Sequence, residues 1–251
     1  MAWPFITDPF FYAVAIPATL LLGVSKSGFG TGFGSLAVPL MALAVPVPDA
    51  AAILMPVLFF IDVLGLAAFR KDFDRKLLTF LVPCGLAGTL VGYLLFKALD
   101  AHVVAGLVGA FTLLFLAQRL LFPPKPDAAP PPRWVGALLT MTSGFTSFVA
   151  HAGGPPISAY VIPLRLSPVL FASTMSFFFF VVNLSKWIPY GLLGLLDGRN
   201  MATSLALLPF VPLGVGFGVR MARRMRPELF YRFLYIGMFL TGSKLLWDGL
   251  H

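Results

Sequence analysis

Charge is scarce in this sequence. Of 251 residues only 11% are Asp, Glu, Lys or Arg, against 59% hydrophobic. An ordinary soluble domain carries about 25% charged residues, so too few polar side chains remain to cover a water-facing surface. The mean hydropathy of +0.91 points the same way and nearly excludes a soluble enzyme. There is one cysteine, Cys84, which rules out an internal disulfide framework and any multi-cysteine metal site. Acidic residues number 10 and histidines three, and HExxH, GxSxG and phosphate-transfer loops are all missing, so nothing supports enzyme chemistry or a bound cofactor. The first nine residues contain Asp8 and no Lys or Arg, so they do not read as a cleaved secretory signal.

What is present is a series of apolar runs. A membrane helix takes about 20 residues, so the length allows at most roughly ten membrane segments with little chain left for a soluble domain. Ten can be drawn: Phe10 to Val24, Ser35 to Val45, Ala50 to Phe69, Leu77 to Phe96, Val103 to Leu121, Trp134 to Val149, Pro155 to Leu164, Val169 to Tyr190, Met201 to Val219 and Leu229 to Leu246. Between the fifth and sixth lies FPPKPDAAPPPR, residues 122–133. Proline lacks an amide donor and fixes φ, so this stretch cannot be satisfied in lipid and reads as an aqueous linker. The chain divides into a first membrane repeat, 1–121, the linker, 122–133, and a second repeat, 134–251.

The halves resemble each other. Ser27-Gly28-Phe29 recurs as Ser143-Gly144-Phe145, Val38-Pro39-Leu40 as Ile162-Pro163-Leu164, Asp62 as Asn183, and Gly88 with Gly92 as Gly214 with Gly218. Subtraction gives offsets of 116, 124, 121 and 126. The net charge of +8 is concentrated in short loops, RKDFDRK (70–76), the linker and RMARRMR (220–226), which read as cytoplasmic by the positive-inside rule. The repeat counterpart of the last is residues 97–102, one crossing from the first and hence outside. Equivalent loops on opposite faces make the halves inverted repeats, with both termini outside. The expected fold is an all-α polytopic membrane protein of two inverted repeats of about five segments each, 8–10 in total, an architecture recurrent among transporters.

Each half carries an early break rich in small residues. The first runs Ser25, Lys26, Ser27, Gly28, Phe29, Gly30, Thr31, Gly32, Phe33, Gly34, Ser35. Alternating glycines weaken a helix and expose backbone amides, and a helix restarting near Ser35 would aim free N–H groups at a cavity, a setting that binds anions. Close helix packing of the small-xxx-small kind explains the same glycines without a ligand, but it does not require Lys26, Ser27 or Thr31. The second break runs from Thr142 through Ser143, Gly144, Thr146 and His151 to Gly153, Gly154 and Pro155. The Pro pair suits a new helix's first turn and the Gly pair a bend into it. His151 is either a functional ionisable group or a structural hydrogen-bonder at the break. With no Cys, Asp or Glu nearby, it is not read as a metal ligand.

Asp62 and Asn183 are polar residues inside apolar helices, at matching places in the two halves. Asp62 reads either as the partner of a cation or as a proton carrier, since a lone carboxylate there is costly. Lys186, one turn after Asn183, reads first as snorkelling to an interface and second as pairing with Asp62 or a substrate. The Phe177 to Phe180 run reads as lipid-facing or core packing.

The two breaks, SGFGTGFGSLAVPL and TSGFTSFVAHAGGPPISAYVIPL, each early in half of a polytopic chain of this length, resemble the TauE/SafE sulfite exporter family, over nearly the whole chain. The resemblance implies an inner-membrane transporter of sulfur-containing anions such as sulfite, sulfoacetate or other sulfonates, directed outward and coupled to the proton gradient. The implied partners are a small anion, membrane lipid and, in some arrangements, a second copy of the chain, with no nucleic acid. The combined expectation places substrate on Lys26 to Ser35 and Ser143 to Pro155, with Asp62, His151, Asn183 and Lys186 in coupling or gating. An anion channel and a non-transporting scaffold are the competing classes.

Overall fold

The structure is a computed structural model and describes residues 5–29, 33–70, 72–121, 130–193 and 197–250. Among these, eleven α-helices and short 3-10 turns account for the regular structure, with no strand. The first half contains α1 (Pro9–Phe29), a 3-10 turn (Phe33–Leu36) running into α2 (Ala37–Met41), α3 (Val47–Phe69), α4 (Arg75–Leu95) and α5 (Ala101–Leu121). The second contains α6 (Arg133–Ala150), α7 (Gly154–Val161), α8 (Pro168–Leu192), α9 (Gly198–Leu207), α10 (Val211–Arg224) and α11 (Pro227–Leu250). The ninth apolar segment is thus two helices joined by a 3-10 turn at Leu208–Phe210, where Pro209 in the turn and Pro212 at the start of α10 each remove an amide donor. Side-chain caps start helices where the chain leaves a loop: Asp74 accepts from Leu77 N at 2.9 Å and Asp197 from Asn200 N at 2.7 Å.

Among the described residues six stretches are long and apolar enough to cross a membrane: α1, Asp49–Phe69, α4, His102–Leu121, α8 and Gly198–Arg224. The other four of the ten apolar segments are α2 and α7, which are too short, and α6 and α11, which are more polar. Leu94, Leu107, Leu114 and Ile188 are each more than 65% exposed, as lipid-facing side chains are.

Helices associate in long pairs, α1 on α10, α4 on α6 and α5 on α11, with α3 on α8 at the centre. Water drives no association between apolar helices in lipid, so close packing does, and glycine permits it. A Cβ on Gly28 would sit 3.1 Å from the Cα of Gly218, one on Gly88 1.8 Å from the carbonyl oxygen of Met141, and one on Gly144 1.9 Å from that of Gly85.

Polar contacts between helix ends define two poles. At one, Arg223 donates to Asp72 at 2.9 Å and to Ala68 O at 2.8 Å, Ser173 donates to Asp72 O, and Arg133 lies over the Phe80 ring at 5.4 Å. At the other, Asn200 donates to Asp49 at 3.1 Å, Ile6 N to Thr203 Oγ1 at 3.1 Å, and His102 Nδ1 meets Asp248 O at 3.0 Å. Described residues of the 70–76 and 220–226 stretches thus meet at one pole, with Arg133 beside Phe80 of α4, while both described chain ends reach the other.

Candidate functional site

α1 remains helical through Phe29, further than its glycines suggested, so Lys26, Ser27 and Gly28 are helix residues and the break begins after them. Gly30, Thr31 and Gly32 lie outside the described residues. The chain resumes in the 3-10 turn that contains Gly34 and Ser35. In the second break the helix does end and restart as the sequence indicates, but the bend is made elsewhere than expected. His151 takes the left-handed conformation (φ 50°, ψ 25°) as C-cap of α6, whereas Gly153 has an ordinary φ of −71°. Glycine is needed at 153 for close approach: a Cβ there would lie 2.7 Å from Ser143 O and from the Ser147 Cβ.

Hydroxyls close this turn. Ser143 donates to Gly153 O at 2.6 Å and Thr146 to Ala152 O at 3.1 Å, while Ala152 N donates back to Thr146 O. Two residues expected to meet substrate therefore use their hydroxyls on the carbonyls of the turn. Pro155 and Pro156 occupy the first turn of α7, so of its first three residues only Gly154 carries an amide donor. Gly28 and Gly144 sit in helix-pair contacts, away from the cavity described next.

Below the two breaks is a cavity of about 60 Å³. Since one water needs roughly 10–15 Å³ on this scale, it has room for a few waters or one small ion. Leu22, Lys26, Gly34, Val38, Leu54 and Leu58 line it from the first half, and Ser147, His151, Gly153, Gly154, Phe179, Asn183 and Lys186 from the second. Both breaks thus reach one site.

A hydrogen-bonded chain runs behind that wall. Lys26 Nζ donates to Asp62 Oδ1 in a buried ion pair. Asn183 Nδ2 donates to Asp62 Oδ2 at 2.7 Å, and Asn183 Oδ1 accepts from Lys186 Nζ at 3.1 Å. Lys186 also donates to Ser147 O at 2.8 Å and Ser147 Oγ at 2.7 Å. Asp62 and Asn183, 121 residues apart in sequence, are therefore in direct contact. Lys26 and Lys186 both line the cavity, whereas Asp62 is 2% exposed and outside the lining.

Lys186 corrects the snorkelling expectation. Its side chain is fully buried, and it lies six residues before the end of a 25-residue helix, with neutral acceptors on α6 and α8 holding the ammonium inward. Among the described residues no carboxylate lies within 4.0 Å of it. With Lys26, Lys186 and Asp62 all ionised, the cluster carries one excess positive charge. The Phe177 to Phe180 expectation also needs a correction, because Phe179 lines the cavity and lies 5.8 Å from Lys26 Nζ. Phe178 is core, with its ring against Gly85.

His151 Nε2 and the Tyr190 hydroxyl are 3.0 Å apart, and that hydroxyl also reaches Phe148 O at 3.0 Å. A Tyr hydroxyl has one hydrogen, so if it donates to Phe148 O, Nε2 carries the proton that His151 donates to Tyr190. Sequence reasoning missed Ser147 and Tyr190. Ser147 had a signal, since it precedes His151 by four residues on one helix face. Tyr190 had none, being an apolar-helix tyrosine like any other until its neighbours are known.

Removing one partner from a buried pair leaves an uncompensated charge, at about 3–5 kcal/mol. The D62A variant, which strands Lys26, is expected to melt well below the parent in detergent, and an unchanged melting temperature would show that the pair contributes no stability.

These features can be set beside known proteins. A family model described as sulfite exporter TauE/SafE matches residues 15–245. No curated protein and no solved structure matches the chain. The matched span takes in both breaks, all four members of the Lys26–Asp62–Asn183–Lys186 chain and nearly every helix, so this multi-pass membrane protein belongs to the TauE/SafE sulfite exporter family of transporters.

Proposed function

We propose that the protein exports small sulfur-containing anions, sulfite, sulfoacetate or other organosulfonates, across the inner membrane by alternating access. One observation carries the anion reading. Lys186 is a fully buried ammonium on a cavity wall, held by neutral acceptors only. A buried cation without a counter-ion is costly, and an anion in the cavity would supply one. Lys26 adds a second ammonium and Gly154 a backbone donor at the start of α7, so three donors of positive character surround a space sized for one small anion. The remaining wall, Leu22, Val38, Leu54, Leu58 and Phe179, is apolar and suits the short carbon tail of an organosulfonate.

The helix pairing supports an inverted repeat as the basis of alternating access. If α1 corresponds to α6 and α4 to the α9–α10 segment, the α1/α10 contact maps onto α6/α4, while α5/α11 and α3/α8 map onto themselves. Asp62 and Asn183 then meet at the pseudo-two-fold axis. The gathering of basic stretches at one pole supports a cytoplasmic assignment for that pole, with both termini outside.

The test is a thermal-shift panel of sulfite, thiosulfate, sulfate, sulfoacetate, taurine and carboxylate analogues on purified protein. A true substrate at about 100 times its Kd stabilises by roughly 2.7 kcal/mol, or about 5–10 °C at this size. At least one sulfur oxyanion is expected to give such a shift and the carboxylates a smaller one. A flat panel would sink the reading.

A further inference from the structure

We infer that the site selects anions by valence: it takes one negative charge and rejects two, and Asp62, a residue outside the cavity lining, sets that number. This rests on the anion reading above and narrows it to monoanions, hydrogensulfite and sulfonates without a second acidic group. Sulfoacetate, with two negative charges, falls among the disfavoured ligands.

The charge inventory around the cavity is short. Of the described lining residues only Lys26 and Lys186 carry a fixed charge. α1, α2, α7 and α8 contain no other charged residue, and α6 adds only Arg133, at the end opposite Ser147. α3 contributes Asp62 and, in its first turn, Asp49, which accepts from Asn200 at the pole away from Arg223. Asp62 accepts from Lys26 and Asn183, both lining residues, so its charge stands one side chain from the ligand space. Two ammonium groups and one carboxylate sum to one positive charge. Lys26 is neutralised by Asp62, while Lys186 is held by oxygens of Ser147 and Asn183 and is the group left to be matched.

A monoanion beside Lys186 brings the occupied site to zero charge and leaves the Lys26–Asp62 pair as it is. A dianion leaves one negative charge without a partner, repelled by Asp62 and walled by Leu22, Val38, Leu54, Leu58 and Phe179. An unpaired charge in such surroundings is costly. Without the carboxylate, the same wall and donors would carry two positive charges and suit a dianion. The groups that meet the ligand are the same in both cases, and only the charge behind them differs.

An apolar site disfavours any dianion through desolvation, so the test changes the protein's charge as well as the ligand's. The experiment is isothermal titration of methanesulfonate, sulfamate and sulfate into the full-length protein at about pH 8, where an ordinary imidazole such as that of His151 is neutral. These probes hold fixed charges of one, one and two, whereas sulfite changes valence near neutral pH. The parent is expected to bind both monoanions at least about tenfold more tightly than sulfate, and D62N to shift that ratio toward sulfate by at least about tenfold. D62N/N183S, whose new hydroxyl can accept where the Asn183 amide donated, supplies the same charge if D62N does not fold. The exchange variant D62N/N183D returns the carboxylate to the cluster and should recover the parent's preference. Equal affinity of the parent for sulfate and methanesulfonate overturns the inference and leaves the anion reading intact. So does an unchanged ratio in the folded charge-shifted variant, or sulfamate binding as weakly as sulfate, which would make the methyl group and not the charge the selector. Absence of binding of these probes and of sulfite to the parent, with a flat panel, overturns the anion reading itself.

Discussion

Replacing Lys186 with methionine is expected to lower anion affinity by about 10–100-fold and to remove transport in proteoliposomes, while the protein still folds. The affinity estimate is one charge-assisted hydrogen bond at about 1.5–3 kcal/mol. Folding should survive because methionine resembles the lysine stem in shape, and the atoms it leaves are tolerable. Ser147 O, Ser147 Oγ and Asn183 Oδ1 each lose one donor but none is charged, and Asn183 keeps its bond to Asp62. Losing a buried charge whose neighbours are all neutral acceptors could even raise the melting temperature of the unliganded protein. The diagnostic result is therefore opposite movement: higher or equal stability without ligand and a lost thermal shift with it. K186M protein that retains the parent's sulfite shift would remove Lys186 from the site.

A single methyl group at Gly144 is expected to have the largest structural effect. An alanine Cβ there would fall 1.9 Å from the carbonyl oxygen of Gly85 and 3.0 Å from Thr89 N, all backbone, so no side chain can swing aside. The helices must part, and the glycine contact on the facing side, Gly88 against Met141, opens with them. Overpacking of this kind costs about 3 kcal/mol or more. Function should go with stability, since α6 carries Ser147 and His151 on the same rigid segment and the site is built to ångström tolerance. We expect G144A to express poorly or to melt far below the parent, with no sulfite shift. The control is G216A on α10, where nothing lies within 4 Å of the added methyl and alanine's better helix propensity should leave stability equal or slightly higher. A G144A protein as stable as G216A would mean that α4 and α6 do not pack as described.

The two variants separate chemistry from scaffold, and the sequence was informative to different degrees about each. The segments were legible. Hydropathy and proline placement are local properties, and the described helices fall on the apolar runs, though only six stretches among the described residues are long and apolar enough to span. The second break was found, because small residues and paired prolines weaken a helix wherever they occur; the centre of the first, residues 30–32, lies outside the described residues. The left-handed residue was misplaced: glycine is the default for positive φ, yet the Gly153 position is needed for close approach, and the turn falls instead on His151, tied to Tyr190.

The polar residues that matter were likewise visible individually, since a charged side chain in an apolar run stands out whatever surrounds it. Their partnerships were not. Lys26 and Asp62 are 36 residues apart, Asn183 and Asp62 121, and Lys186 and Ser147 39. For Lys186 the local rule, that a lysine near a helix end snorkels, competes with a tertiary one, that three acceptors converge on its ammonium. Snorkelling needs only a helix and an interface, whereas inward pairing needs α6 and α8 side by side. The sequence by itself determined that this is a multi-pass membrane protein with a handful of isolated polar groups in its apolar runs, because lipid imposes those constraints residue by residue. Only the tertiary structure decided that two lysines line one cavity with a single carboxylate behind them, because charge balance at a buried site depends on what the fold brings within hydrogen-bonding distance.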